Sequence, residues 1–324
     1  MVFTRLAATV EDNGMYKTAF IFPGQGSQYV GMGKDWYESS SEARAMFAKA
    51  NEILGLDIAK ICFEGPEDDL RQTSVTQPAI FLHSAIIFSL AKNGSFSDGD
   101  ADAMAGHSLG EYSALYAAGA LDFESALSLV GLRGKLMQEA GTARPGTMAA
   151  VVGLDEKTIE EICSEASKDG VVCPANYNSP GQIVISGDIA NVRNAMAAAK
   201  SHGAKIVKEL VVSGAFHSPL MESAKEKLGN AINNVRIRDA GVPVYANVSA
   251  APVTDAEEIG AALVRQLTNP VRWRESVQNM SEAGIVKFVE IGPGKVLQGL
   301  VKRTVPSAGV AGVDRFDEVR ITVK

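Results

Sequence analysis

The sequence predicts an α/β fold in which a parallel sheet covered by helices carries an inserted ferredoxin-like (βαββαβ) subdomain. Two observations lead there. Apolar β-type runs at 18–22, 242–248 and 286–291 alternate with helical patterns at 78–92 and 123–140, the rhythm of parallel strands joined by helical crossovers. Over residues 146–212 the rhythm shortens to strand, helix, two strands, helix, strand.

Taken in order, residues 1–14 mix Arg5, Glu11 and Asp12 with a brief apolar patch and no adequate h-region, and read as a leader or expression remnant ahead of Met15. The first strand is Thr18–Phe22. The Gly/Pro-rich stretch 141–146 reads as a linker. Beyond it come strand Thr147–Val152, helix Asp155–Lys168, strands Val171–Ala175 and Gln182–Ser186, helix Ile189–His202 and strand Lys205–Val212. Asp155 and Asp188 stand where helix caps belong, and Gly203 follows the second helix. The large domain is thus expected at 15–145 and 213–324, with the subdomain at 146–212 between them.

At 324 residues, 46% hydrophobic and 21% charged, the chain is long enough for one large core with an insertion. Its longest apolar stretches, such as Ala85–Leu90, are broken by polar residues, so no membrane span is expected. A formal charge of -7 argues against a broad nucleic-acid-binding face. Cys62, Cys163 and Cys173 are odd in number and lack C-x-x-C spacing, which favours reduced structural thiols over disulfides or a zinc site.

Gly106-His107-Ser108-Leu109-Gly110 is a G-x-S-x-G match between apolar Ala103-Met104-Ala105 and an amphipathic stretch opening at Glu111. In a strand-to-helix turn, flanking glycines relieve clashes, the serine hydroxyl stands clear, and the helix aims free N–H groups at a developing oxyanion. In a chain with 31 glycines the pentapeptide alone leaves a plain turn equally open.

A serine nucleophile needs a base, and there are four histidines. His83 lies within an apolar helix and reads as packing. His107 leaves the turn in another direction from Ser108, and His202 reads as a C-terminal helix cap. His217 follows a strand and precedes Ser218-Pro219, an N-cap and N1 pair whose positive helix end favours a neutral imidazole; a surface-loop histidine is the competing reading. Arg133 shares a helical stripe with Ala126, Leu129, Val130 and Met137, where an apolar group belongs. Spacing alone favours a structural pair with Asp or Glu; the other reading is a bidentate grip on a substrate carboxylate. The loop 23–28 fits neither a G-x-G-x-x-G nor a Walker A fingerprint, and offers either a structural turn or the Gln25 N–H.

Together Pro23-Gly24-Gln25-Gly26-Ser27-Gln28, Gly106-His107-Ser108-Leu109-Gly110-Glu111, Arg133, Gly214-Ala215-Phe216-His217-Ser218 and Gln266-Leu267-Thr268-Asn269-Pro270-Val271 resemble the malonyl-CoA:acyl carrier protein transacylase family. The segments 176–187 and 290–295 fit too, and the likeness runs in order from about Tyr16 to Asp314. The resemblance implies a hydrolase-like large domain with the ferredoxin-like insertion. It makes Ser108 the acylated nucleophile, His217 its base, Arg133 the malonyl clamp, and the N–H groups of Leu109 and Gln25 the oxyanion hole. Gln266 becomes the residue whose backbone carbonyl orients the histidine, giving a Ser-His dyad without an acid. Phe216 resembles the malonyl-type form of its motif.

The implied reaction is malonyl transfer from malonyl-CoA to the phosphopantetheine thiol of acyl carrier protein, for fatty acid synthesis. No cofactor is implied, since malonyl-CoA is a substrate. A cytoplasmic monomer without nucleic-acid or membrane partners is expected. A serine esterase or thioesterase and a non-catalytic acyl-binding module are the rivals. Carrier proteins of this kind are acidic, as is this chain, so docking requires a basic patch, for which Lys205, Lys208, Lys302 and Arg303 are candidates.

Overall fold

The computed structural model describes residues 17–92 and 101–318, so the leader assigned to residues 1–14 lies outside the described residues. In chain order the strands are β1 (Lys17–Phe22), β2 (Ala103–Gly106), β3 (Gly146–Val152), β4 (Val172–Ser179) and β5 (Gln182–Asp188), then β6 (Ile206–Glu209), β7 (Val244–Tyr245), β8 (Pro252–Val253), β9 (Ile285–Ile291) and β10 (Gly309–Val313). They form a six-stranded sheet ordered β10-β9-β1-β2-β7-β8 and a four-stranded sheet ordered β4-β5-β3-β6. In the large sheet every pairing is parallel except β7 with β8. The small sheet is antiparallel throughout. With helices at Glu156–Ala166 and Ile189–Ser201 it has the order and connections of a ferredoxin-like unit.

Parallel strands covered on both faces must be apolar on both, and β1 and β2 are. Alternation sends Phe20, Phe22 and Met104 to one face, against residues of the helices Thr73–Lys92 and Phe123–Ala143. It sends Ala19, Ile21, Ala103 and Ala105 to the other, against Trp273, Val277 and Leu297. The loops after β1, β2 and β7 leave the carboxyl ends of adjacent strands, where open α/β sheets place their ligands.

Several elements differ from the sequence reading. The strand expected at 242–248 is two residues long, because Asn247 spends its backbone N–H on the Glu111 carboxyl of the helix that follows β2, and its side chain on the intervening turn, instead of the sheet. The helix expected to start at Pro78 starts at Thr73. Its first turn is anchored by Val75 and Thr76 N–H donating to Gln72 O, and the proline sits inside it. The first half of the expected linker at 141–146 is helix, since Phe123–Ala143 runs through Gly141, and β6 is shorter than 205–212. Gly141 is required there: a Cβ would overlap the carbonyl oxygen of Ser213, so the chain leaves for the small sheet and returns from it at touching points.

Asp155 caps its helix by accepting Thr158 N–H at 2.8 Å. Asp188 does not cap with its side chain; the carboxylate accepts Val171 N–H at 2.7 Å and lies 3.6 Å from Arg144. The segment Thr73–Ala91, of mean hydropathy 1.4, is long and apolar enough to cross a membrane by length and composition alone, and 78% of its most apolar window is buried within the fold. Four helices between Lys34 and Arg71, and β8 and β10, were not anticipated.

Candidate active site

The turn after β2 sets the position of Ser108. Ser108 has φ 53°, a left-handed conformation that non-glycine residues seldom adopt, and both neighbours that flank the turn must be glycine. A Cβ on Gly106 would overlap the Gly110 carbonyl, and one on Gly110 would overlap Phe22 O. The helix Gly110–Ala117 follows at once, leaving the amide of Leu109 at an N-terminus that has no helical acceptor.

Ser108 Oγ lies 2.8 Å from His217 Nε2, and His217 Nδ1 lies 2.9 Å from the backbone oxygen of Gln266. A carbonyl can only accept, so the Nδ1 carries the proton and the Nε2 lone pair faces the serine hydroxyl. His217 is also left-handed, with φ 56°, and is 3% exposed. Its pKa is pushed down to about 3, first by burial and then by the Arg133 charge, so the imidazole is neutral. The sequence reading attributed neutrality to a nearby helix end; burial and a cation are the causes.

Arg133 is 1% exposed, on a helix whose N-terminus is capped by Asp122 accepting Ser125 N–H at 2.8 Å. Its guanidinium donates to Gln77 Oε1 at 2.6 Å, Gln266 Oε1 at 2.9 Å and Ser108 Oγ at 3.0 Å, all neutral oxygens. Its Nε is buried without a partner. The structural ion pair that spacing favoured is therefore not what it makes: a buried cation stands at the nucleophile with donors to spare.

A cavity of about 180 Å³ opens over these groups, lined by Gln25, Gln77, His107, Ser108, Leu109, Arg133, Met137 and His217 on one side. Met148, Asn176, Asn178, Val184, Leu210 and Val212 line it as well, with Phe216 at 5% exposure. All seven residues singled out from sequence converge here. Gln25, Leu109, Ser108, Arg133, Phe216 and His217 line the cavity, and Gln266 lies behind Ser108 and His217. The other histidines do not act on Ser108. His83 Nε2 bonds the Asp314 carboxylate at 2.9 Å, His202 Nδ1 lies 2.8 Å from Ala198 O, and His107 Nε2 donates to Asn178 Oδ1 at 2.8 Å.

Sequence reasoning missed Gln77, Asn247 and the side chain of Glu111. Asn247 Oδ1 accepts Ser108 N–H and its Nδ2 donates to Gly106 O, both at 2.7 Å, tying the strained turn to the loop after β7. Glu111, 2% exposed, has its carboxyl pushed up to about 7 by burial. Its position directly after the pentapeptide was the one available signal. Among the described residues no cluster of three or more His, Cys, Asp or Glu side chains could hold a metal ion.

The chemistry such a site can perform is acyl transfer through a serine ester, with a neutral histidine as base and a cation to meet an acidic acyl group. The chain belongs to the acyl transferase domain family, which it matches over residues 19–319. It is 45% identical over 290 residues to the malonyl CoA-acyl carrier protein transacylase of Bacillus subtilis, covering 89% of this chain and 90% of that protein. It is likewise 45% identical over 292 residues to the enzyme of that name from Escherichia coli K12, covering 90% and 94%. The crystal structure of an acyl carrier protein S-malonyltransferase from Vibrio cholerae superposes with a TM-score of 0.90 at 42% identity, over 94% of this chain and 99% of that one. A malonyl-transacylase solved in complex with its type II PKS acyl-carrier protein gives 0.90 at 41% identity, over 95% and 99%.

Proposed function

We propose that this protein transfers the malonyl group of malonyl-CoA to the phosphopantetheine thiol of acyl carrier protein, supplying fatty acid synthesis. One observation carries the reading: Ser108 Oγ stands between the base and the cation, 2.8 Å from His217 Nε2 and 3.0 Å from Arg133 Nη2. The names of the relatives, and the carrier-protein complex of one of them, agree with it.

Ser108 attacks the thioester carbonyl while His217 Nε2 takes the hydroxyl proton. The oxyanion is met by the N–H groups of Leu109 and Gln25, and collapse expels coenzyme A as a thiol with the proton from His217. The product is a malonyl ester on Ser108. The carrier-protein thiol then gives its proton to His217 and attacks the ester, and Ser108 recovers its proton as it leaves. The Gln266 carbonyl holds the imidazole throughout.

Arg133 grips the distal carboxylate. An acyl group without one leaves a buried guanidinium unmatched, a difference of about 1 to 3 kcal/mol. Phe216 crowds the position an extra methyl would take, so methylmalonyl-CoA is turned over more slowly.

In this reading the enzyme is a cytoplasmic monomer without a cofactor, and it binds neither nucleic acid nor membrane. Residues 15–145 and 213–324 form the hydrolase-like domain and residues 146–212 the subdomain. Lys205, Lys208, Lys302 and Arg303 are all exposed, as a docking surface for an acidic carrier requires. Arg303 also donates to Gln182 Oε1 at 2.7 Å, and Lys302 to the carbonyl of Ala308 at 2.6 Å.

Intact-mass measurement after mixing with malonyl-CoA tests the proposal. A malonyl adduct is expected on the wild-type protein and none on Ser108→Ala. An adduct that persists in the variant rejects the nucleophile, and hydrolysis outpacing transfer with carrier protein present would make the chain a thioesterase.

A further inference from the structure

Leading back from the cavity, the buried side chains of Arg133, Gln266 and Glu111 and the backbone N–H of Asn247 form a hydrogen-bonded relay. Glu111 Oε2 accepts from Gln266 Nε2 at 2.8 Å and from the Asn247 backbone N–H at 3.0 Å. Gln266 Nε2 donates also to Ser108 O at 2.9 Å, and Gln266 Oε1 accepts from Arg133 Nη2 at 2.9 Å. Glu111, Asn247, Arg133 and Gln266 are each 2% exposed or less.

The donor and acceptor inventory gives this arrangement a direction. A backbone carbonyl can only accept, and Glu111 Oε2 already takes the Asn247 N–H, so the end of the Gln266 amide that faces Glu111 and Ser108 O must be the NH₂. The carbonyl end is thereby turned to Arg133, whose guanidinium can only donate. Were the amide reversed, oxygen would face two acceptors and NH₂ would face a cation, leaving buried polar groups unpaired on both sides.

We propose that Glu111 is a positioning residue for acyl-group selection: by fixing the sense of the Gln266 amide it aims the Arg133 guanidinium into the acyl cavity. Glu111 does not line that cavity and acts only through Gln266. The proposal rests on the reading of Arg133 as the malonyl clamp. Burial, which raises the Glu111 carboxyl pKa, is opposed by the Asn247 and Gln266 hydrogen bonds and by the Arg133 charge, the same groups the relay joins.

The test compares Ser108 acylation by malonyl-CoA and acetyl-CoA, as kcat/KM for each, in Glu111→Met, Glu111→Gln and Arg133→Ala. Methionine fills the space without an acceptor, and glutamine can turn a carbonyl oxygen to the same donors. Glu111→Met should lower the malonyl-to-acetyl ratio by about ten- to a hundredfold, the scale of a misaimed binding group. The loss should appear as a raised KM for malonyl-CoA. Glu111→Gln should restore the ratio to within about threefold of wild type, since it keeps the acceptor.

An equal loss for both substrates in Glu111→Met would mark a merely structural residue and overturn the proposal. So would an unchanged ratio, or Glu111→Gln behaving like Glu111→Met. Arg133→Ala separates the two layers. If it leaves the ratio unchanged the clamp reading itself fails; if it collapses the ratio while Glu111→Met does not, only the positioning role fails. Should Glu111→Met not fold, Gln266→Met keeps the backbone carbonyl that holds His217 and removes the amide: a lowered ratio is then expected, and a retained one overturns the relay.

Discussion

Arg133 Nη2 donates to Ser108 Oγ at 3.0 Å, so cation and nucleophile are partners before an acyl group arrives. The serine hydroxyl meanwhile gives its own proton toward His217 Nε2, 2.8 Å away. In the proposed reaction a carboxylate entering the cavity would compete for the guanidinium and draw it off the oxygen that attacks, which would join selection and activation in one contact. Arg133→Lys keeps the charge but cannot span Gln77, Gln266 and the acyl carboxylate together. It should lower kcat/KM for malonyl-CoA about tenfold or more, read by single-turnover acylation.

The depressed pKa of His217 makes two pH predictions. The imidazole stays neutral well below pH 6.5, so the acylation rate of folded enzyme should show no loss centred on 6.5; a midpoint there would contradict the buried-base geometry. Stability behaves differently. The folded value of about 3 lies below the ordinary 6.5, so between them the unfolded chain binds the extra proton. The contribution is present above 6.5 and is lost as pH falls, at up to about 1.4 kcal/mol per pH unit. Denaturant titrations of wild type and His217→Gln over that range read the difference.

Glu290 titrates with the opposite sign. Fully buried on β9, it accepts the N–H groups of Leu297 and Gln298 at 3.1 Å each, at the start of the helix Val296–Thr304. Burial pushes its carboxyl up to about 7 from an ordinary 4.5. A raised folded value gives stability that is present below 4.5 and lost as pH rises through 7. Glu111, raised to about 7 as well, acts in the same sense. Glu290→Gln should therefore flatten the fall in Tm between about pH 4.5 and pH 7, measured calorimetrically beside wild type.

Asn247 carries a structural prediction. Replacing it by alanine leaves Ser108 N–H and Gly106 O without their partner beneath a left-handed turn. A loss of about 1 to 3 kcal/mol in unfolding free energy is expected, together with slower acylation as the nucleophile loses its fixed position. Asn247→Asp retains an acceptor for Ser108 N–H but offers no donor to Gly106 O and places a second anion near Glu111; it should be no better than alanine.

What the sequence made legible is what its local chemistry marks. A strained serine between glycines, a guanidinium on an apolar stripe and a histidine leading into Ser218-Pro219 each break a local rule, and each proved to face the cavity. The parallel sheet and the small unit were legible because their periodicities differ. Gln77, Asn247 and Glu111 were not, since each obeys its local pattern and matters only through partners 56 to 155 residues away. The shortened β7 has the same origin: its residues 242–248 are apolar enough for a strand, and only the distant turn at Ser108 claims Asn247 from the sheet. His83 was rightly read as packing, but its partner Asp314 lies 231 residues on, beyond any spacing argument.

The touching points at Gly141 and Ser213 divide the labour of the cleft. Ser108, His217 and Arg133 all stand on chain outside the excursion they bracket. Met148, Asn176, Asn178, Val184, Leu210 and Val212, which line the same cavity, all belong to it. The groups that the proposed reaction uses and much of the wall around the acyl group are thus furnished by separate stretches of one polypeptide, so the excursion can be reshaped to fit another acyl group while Ser108, His217 and Arg133 keep their places.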